Sequence, residues 1–406
     1  MLLRYRSILL LFALLIGAAG TGAGQDKKDD PKKKPDGKLE AMKKDDDPKK
    51  DAAKKADEGT SKRLQDYAKD ATGETISFKS ADGVKLAGVF YKAMDGSKPV
   101  VLMLHDYKAG TTDAAWDDTA KLCLARGFNV LRFDFRGHGK STEVVPGDFW
   151  VRPENRALIN GGGSPNVSAK TTIKVTEFKP NYFPMLVQDI AAARNYLDQQ
   201  NDSGILNTST VYLLGSGDAA GLGFLYMASE WSRERQKPNL PVPPQYVSLR
   251  RPLFPASEPA GPDIGGAIWL GPTRHPSITV QELKSWCINP VTIELRTQTR
   301  MLFVHGEKDA KSTTFSKQLF SDVLLIDKKS LPNGTSLVKP DFTTFIRGIK
   351  DSAASGNKLL GNNLGTEKLI GDFLREIDKD RSSKTRKNRD WDKPLWINVS
   401  DYGVGY

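Results

Sequence analysis

The residues most able to do chemistry in this 406-residue chain lie between Val211 and Gly221, which reads Val-Tyr-Leu-Leu-Gly-Ser-Gly-Asp-Ala-Ala-Gly. An apolar strand, Val211 to Leu214, leads in, and an apolar helix, Leu222 to Met227, leads out. A small-x-nucleophile-x-small turn between strand and helix lifts a nucleophile to its apex. With Gly215 as the first small residue, the apex falls on Gly217, which has no side chain and cannot attack. Shifted by one residue, the frame Ser216-Gly217-Asp218-Ala219-Ala220 puts Asp218 at the apex, where a carboxylate can serve as nucleophile. Asp218 equally suits the ordinary task of capping the helix that follows, beside its free N–H groups and dipole. The Ser216 hydroxyl is barely nucleophilic without a base.

A base would be histidine, and the chain has four: His105, His138, His275 and His305. None follows His305. His275, in Pro272-Thr273-Arg274-His275-Pro276, comes just after an apolar strand and is the one open to recruitment. Only Cys123 and Cys287 occur. One disulfide suits an exported protein, while the apolar helix Ala120 to Ala125 suits Cys123 as a buried free thiol. No metal-ligand spacing and no cofactor-binding motif is present.

Short apolar runs alternate with longer amphipathic ones, the pattern of a mainly parallel sheet of about eight strands with helices on both faces. Thr75 to Ser80 and Lys85 to Lys92 flank Ala81-Asp82-Gly83, a hairpin turn. Val100 to His105, Asn129 to Phe135, Thr210 to Leu214, Ile264 to Leu270 and Met301 to His305 are apolar enough to be buried on both faces, hence neighbours in one parallel sheet. Helices are expected over Asp113–Arg126, ended by Gly127, and over Met185–Gln199, Ala219–Glu234, Phe315–Leu324 and Thr366–Asp378. Two insertions break the rhythm. Residues 144–183 hold Phe149, Trp150, Phe178, Tyr182 and Phe183; they either cover the strand C-terminal edge, where open α/β sheets bind ligands, or pack peripherally. Residues 236–262 are rich in proline.

The ends are different in kind. Arg4 and Arg6, the apolar run Ile8 to Ile16 and the small residues Gly17 to Gly24 form a secretory signal over residues 1–24, too short an apolar run to span a bilayer comfortably. Left uncleaved, it would be the one membrane contact. Residues 25–60 hold 12 Lys and 11 Asp or Glu with no aromatic, a solvated polyampholyte linker that cannot bury a core. The domain runs over 61–380. In the tail, 381–406, basic residues give way to Trp391 to Tyr406, aromatic enough to dock back. The formal charge of +11 falls to +9 once Arg4 and Arg6 leave. No Lys/Arg stripe interleaves with aromatics as in nucleic-acid modules, so the charge points to solubility and weak attraction to acidic polymers outside the cell. Export places the chain in a periplasm, cell envelope or extracellular space.

Three further stretches complete a family pattern. His105-Asp106 follows a strand and precedes a glycine loop. Phe133-Asp134-Phe135-Arg136-Gly137-His138-Gly139-Lys140-Ser141 is very similar to an Asp-x-Arg-Gly-His-Gly-x-Ser turn. Val304-His305-Gly306-Glu307-Lys308-Asp309 is similar to a strand and loop carrying a catalytic acid. In order and spacing, these and the Gly217 turn resemble the α/β-hydrolase fold, near its serine-aminopeptidase and dienelactone-hydrolase-like branches, over roughly residues 72–380. The resemblance implies a nucleophile, base and acid. It places the acid on Asp309 and the vestigial nucleophile on Gly217. Ala353-Ala354-Ser355-Gly356-Asn357-Lys358-Leu359-Leu360 aligns Ser355 with the missing base. His105, His138 and His305 match structural histidines of the family. His105, Asp106 and Tyr107 form the oxyanion loop, and with Gly217 and Asp218 they border the ligand pocket. Asp106 stands where glycine is usual, and a carboxylate there repels a developing oxyanion.

Fold does not carry activity with it. The leading expectation is an exported, catalytically inactive binding protein for a small molecule or an envelope polymer, with no nucleic-acid partner. The alternative is an active hydrolase of esters, lactones, epoxides or peptides that uses Asp218, as aspartate is used in epoxide hydrolases and haloalkane dehalogenases, or Ser216 with an unrecognised base. A scaffold tethered to an envelope polymer through the charged linker is the third.

Overall fold

Apolar side chains at every position of a strand leave it no face for water, so such strands must lie inside a sheet covered on both sides. Val100–Leu104 (β3) is buried at all five positions. Val211–Ser216 (β6) and Ile264–Leu270 (β7) are buried throughout, and Asn129–Phe133 (β4) and Arg300–Gly306 (β8) nearly so. In the computed structural model these five are consecutive neighbours, β4-β3-β6-β7-β8, all parallel. The model describes residues 61–110, 113–232, 260–289, 292–324, 344–381, 383–389 and 394–404. The expected signal 1–24, the linker 25–60 and nearly all of the insertion 236–262 lie outside the described residues.

Glu74–Lys79 (β1) and Val84–Tyr91 (β2) form the expected hairpin, and β2 runs antiparallel to β4. A two-residue strand, Glu143–Val144 (β5), pairs with β2, and Thr344–Ile349 (β9) continues the sheet beyond β8. Among the described residues the order is β1-β2-β4-β3-β6-β7-β8-β9, nine strands with β5 off the path. The expectation of a mainly parallel α/β sheet of about eight strands is borne out. β9 escaped the sequence reading because Arg347 and Gly348 break its apolar run and its middle faces outward, as an edge strand permits.

Alternation along each strand splits the core in two. Leu102, Leu104, Leu213, Trp269 and Phe303 face one side with Val187–Asp202 (α2) and Ala219–Ser232 (α3). Val101, Met103, Leu214, Ile268 and Val304 face the other with Ala114–Leu124 (α1) and Thr366–Lys379 (α6). Cys287, on helix Val280–Ile288 (α4), belongs to the first side and Cys123 to the second; both are buried free thiols. Burial pushes each thiol up to about 12, so neither is a ready nucleophile.

Local chemistry sets the helix ends. Asp113 caps α1 by accepting from Ala115 N–H. α2 starts at Val187 and not Met185, because Pro184 sits in a 3-10 turn, Pro180–Leu186, that leads into it. The helix expected over Phe315–Leu324 starts earlier, at Ala310 (Ala310–Gln318, α5), because Asp309 caps it, and its last expected turn, Leu319–Leu324, widens to π geometry. α4, unassigned in the sequence, opens on a Thr279–Glu282 capping box.

The Phe133–Ser141 turn is a structural knot. The Arg136 guanidinium, wholly buried, binds both oxygens of Asp82 at 2.7 and 3.0 Å and Asp189 Oδ1 at 2.8 Å, and donates to Tyr182 at 3.0 Å. Asn155 donates to Asp82, and Tyr182 donates to Asn155. Asn155 and Tyr182 belong to the insertion 144–183, so this cluster ties the insertion to the hairpin and to α2. The insertion's Phe149, Trp150, Ile173, Phe178, Tyr182 and Phe183 are all buried in the α2–α3 side of the core.

Candidate functional site

The sharp turn between β6 and α3 is formed as the sequence spacing implies. Gly217 has φ +58°, a left-handed conformation in which an L side chain is strained. Its N–H donates to Leu270 O at 2.9 Å, and its carbonyl accepts from Thr273 N–H at 3.1 Å. A Cβ built on Gly217 would lie 1.7 Å from Asp106 Oδ2 and 2.7 Å from its Cγ. The Asp106 carboxylate thus occupies the space a nucleophilic side chain would need. It is held there by an Asx turn: Lys108 N–H donates to Oδ1 at 3.0 Å, and Ala109 N–H donates to Asp106 O at 2.9 Å.

Asp218 does not spend its carboxylate on the first turn of α3. Its Oδ1 accepts from Tyr107 N–H at 2.8 Å. In this turn geometry, the amide after the apex and an amide from the loop after β3 are the two donors that would hold an oxyanion. One of the two, the Tyr107 amide, is taken by the Asp218 carboxylate. Burial, and then the Asp106 charge, push the Asp218 carboxyl up to about 7, against the opposing pull of the Tyr107 amide and Lys108.

This shift has a consequence for stability. The folded protein holds the Asp218 proton more tightly than the unfolded chain does, so the stabilisation is complete below about pH 4 and is lost as pH rises through about 7. The facing groups are Asp106, Tyr107 and Lys108. Stability should therefore fall over this window by up to about 1.4 kcal/mol per pH unit, and Asp218→Asn should abolish that share of the slope. Parallel urea-stability profiles for parent and variant from pH 4 to 8 would refute the assignment.

Tyr107 is the hub of the aromatic wall. Its ring meets Phe183 edge-on at 5.3 Å, His275 at 5.5 Å and His138 at 5.6 Å, and Phe183 stacks on His275 at 3.8 Å. Burial and the Asp218 charge push the Tyr107 phenol up to about 12. Burial, then Lys108, bring His275 down to about 4, so its ring is neutral at pH 7. Its Nδ1 accepts from Ser277 N–H at 3.2 Å, which leaves Nε2–H to donate. The sequence named His275 after a strand and Phe183 in the insertion, but at 92 positions apart no spacing signal pairs them.

The other histidines are held by the scaffold. His105 Nε2 accepts from Phe135 N–H at 2.9 Å and Nδ1 donates to Asp106 O at 2.7 Å; burial brings it down to about 4. His138 contacts Arg136 O and Tyr107 O. His305 Nδ1 meets Thr313 Oγ1 at 2.9 Å.

Asp309 stands just past β8, capping α5 through Oδ1, which accepts from Ser312 N–H at 3.3 Å; Oδ2 is buried without a hydrogen-bond partner among the described residues. Ser355 is half-buried and opens a 3-10 turn, Gly356–Leu359, without capping it. The next residue brings that segment to the apex: a Cβ on Gly356 would lie 3.7 Å from Asp106 Oδ2 and 3.8 Å from Gly217 N. Ser216 is fully buried, and its hydroxyl has no partner among the described residues. In the alternation of β6 it falls on the face of Leu214, opposite the face of α3, and solvent does not reach it. The structure thus gathers Asp106, Tyr107, Gly217, Asp218 and the Ser355–Gly356 turn, and leaves Ser216 aside. Among the described residues, no group of three or more His, Cys, Asp or Glu is placed to hold a metal ion.

No family model matches the chain, and no curated protein matches its sequence. Similar solved structures include an esterase of Pyrococcus furiosus, 12% identical over 75% of this chain and 91% of that one, TM-score 0.42. A dienelactone hydrolase of Anabaena variabilis is 12% identical over 78% and 99%, TM-score 0.42. An esterase domain of a Rhodothermus marinus protein is 12% identical over 76% and 99%, TM-score 0.40. Likeness of this degree carries nothing beyond what the strand order already gives. That order, with its antiparallel β2, the strand–turn–helix at Gly217 and the Asp309 loop after β8, gives the chain the α/β-hydrolase fold.

Proposed function

We infer that this is an exported α/β-hydrolase-like protein that binds a ligand at the strand C-terminal edge and does not hydrolyse it. One observation carries the reading: Asp106 Oδ2 fills the nucleophile's place above Gly217. The Asp218 carboxylate on the Tyr107 amide supports it, since no donor pair is left free for a developing oxyanion. The ligand is a small molecule or a segment of an envelope polymer. Two carboxyl groups beside the apex disfavour an anionic ligand, and the Tyr107–Phe183–His275 wall offers apolar surface with one N–H donor. Removal of residues 1–24 on export is part of the proposal, read out by the N-terminal sequence of the mature protein.

The rival, an aspartate nucleophile at Asp218, has its position at the turn in its favour. A carboxyl pushed up to about 7 is half protonated at neutral pH, and protonation removes its nucleophilicity. The mature protein should turn over neither short acyl esters nor epoxides above a denatured control. Turnover that Asp218→Asn abolishes would establish the rival in its place.

A further inference from the structure

Residues 383–389 and 394–404 meet the two ends of α2 in reverse order. Near the helix's C-terminal end, Asn201 donates to Lys387 O at 2.8 Å. Near its N-terminal end, Ile397 N–H donates to Gln188 Oε1 at 2.9 Å and Gln188 Nε2 donates back to Ile397 O. The lower anchor is a buried charge cluster: Arg389 meets Asp263 at 3.1 Å and Asp198 at 3.8 Å, and Arg194 meets the same two carboxylates at 3.2 and 3.0 Å. The upper anchor reaches further. Ile397, Val399 and Val404 join the core on the α2–α3 side, and Tyr402 O accepts from Trp286 on α4. The Trp396 ring lies 4.2 Å from the Arg152 guanidinium, a cation–π contact to the insertion.

This upper anchor sits close to the site. The turn Pro180–Leu186 runs without a break into the first turn of α2, where Gln188 is clamped. Phe183, five residues before Gln188, is the ring stacked on His275 and set edge-on to Tyr107. Ser277, two residues after His275, donates its hydroxyl to Pro180 O at 2.7 Å. We propose that the tail segments 383–389 and 394–404 act as a strap that fixes the insertion 144–183, and through it Phe183, over the candidate site. The strap is anchored at Arg152, inside the insertion, and at Gln188, five residues beyond its end.

The test is amide hydrogen exchange on the full chain carrying Trp396→Ala or Gln188→Leu. Neither change adds a charge, and neither touches the sheet. Each should speed exchange across residues 150–187 by about tenfold or more while β6 stays as protected as in the parent, since local opening and global unfolding are separable in exchange. Trp396→Phe keeps a ring beneath Arg152 and should stay within about twofold of the parent. The strap is refuted if the insertion exchanges at the parental rate in both disruptive variants. It is also refuted if β6 loosens in step, which would make the tail a general stabiliser, or if Trp396→Phe loses as much protection as Trp396→Ala.

Discussion

Gly217→Ser, which places a hydroxyl at the apex of the turn, should destabilise the domain by about 3 kcal/mol and produce no ester turnover. The new Cβ would lie 1.7 Å from Asp106 Oδ2, 2.7 Å from Cγ and 3.2 Å from Cβ. Swinging the carboxylate aside is not enough, because the side-chain carbons are in the way as well. Asp106 would have to leave its rotamer and give up the Lys108 amide. Asp106→Gly, made together with Gly217→Ser, removes the overlap and should recover most of the loss. The pair should therefore couple by about 2 kcal/mol in a double-mutant cycle of urea midpoints. Additive single effects would show that the two residues do not compete for one space. The double variant should remain inert towards short acyl esters, because the Ser355 turn beside the apex offers no imidazole to take the serine proton.

Removing the Arg136 guanidinium should cost about 3–5 kcal/mol, as for any buried ion cluster that loses one partner. In Arg136→Met, Asp82 and Asp189 lose their buried cation, and Tyr182 and Asn155 lose the geometry it sets. The loss should be larger at pH 8 than at pH 4, because the stranded carboxyls take up protons at the lower pH. The triple change Arg136→Met, Asp82→Asn, Asp189→Asn carries no buried charge and should regain part of the stability at pH 8. A loss under 1 kcal/mol for Arg136→Met, with no pH dependence, would mean that the cluster holds nothing. This prediction also separates signature from chemistry: the nine-residue stretch Phe133–Ser141, the strongest family signal in the sequence, ties the insertion to the body and presents no reactive group.

The sequence by itself determined the sheet and its strands, because burial on both faces writes itself as unbroken apolar runs, and Val100–Leu104 or Ile264–Leu270 admit few other readings. It missed β9, whose Arg347 and Gly348 are free to face outward at an edge. It also missed the early start of α5, where Asp309, noticed as an acid, is also a cap. In the site, composition alone established that no histidine follows His305 and that Gly217 cannot attack. The carboxylate at Asp106 and the bare Gly217 were visible only as two separate oddities. That the two fill one space is decided by the approach of the β3 loop to the β6–α3 turn, 111 positions apart, and the seat of Asp218 on the Tyr107 amide follows from the same approach. The stacking of Phe183 on His275 and the return of Ile397 to Gln188, 209 positions away, are likewise tertiary facts. Local pattern encodes which face of an element is buried. Which distant side chain then meets it depends on how the finished elements pack, and no short-range signal carries that.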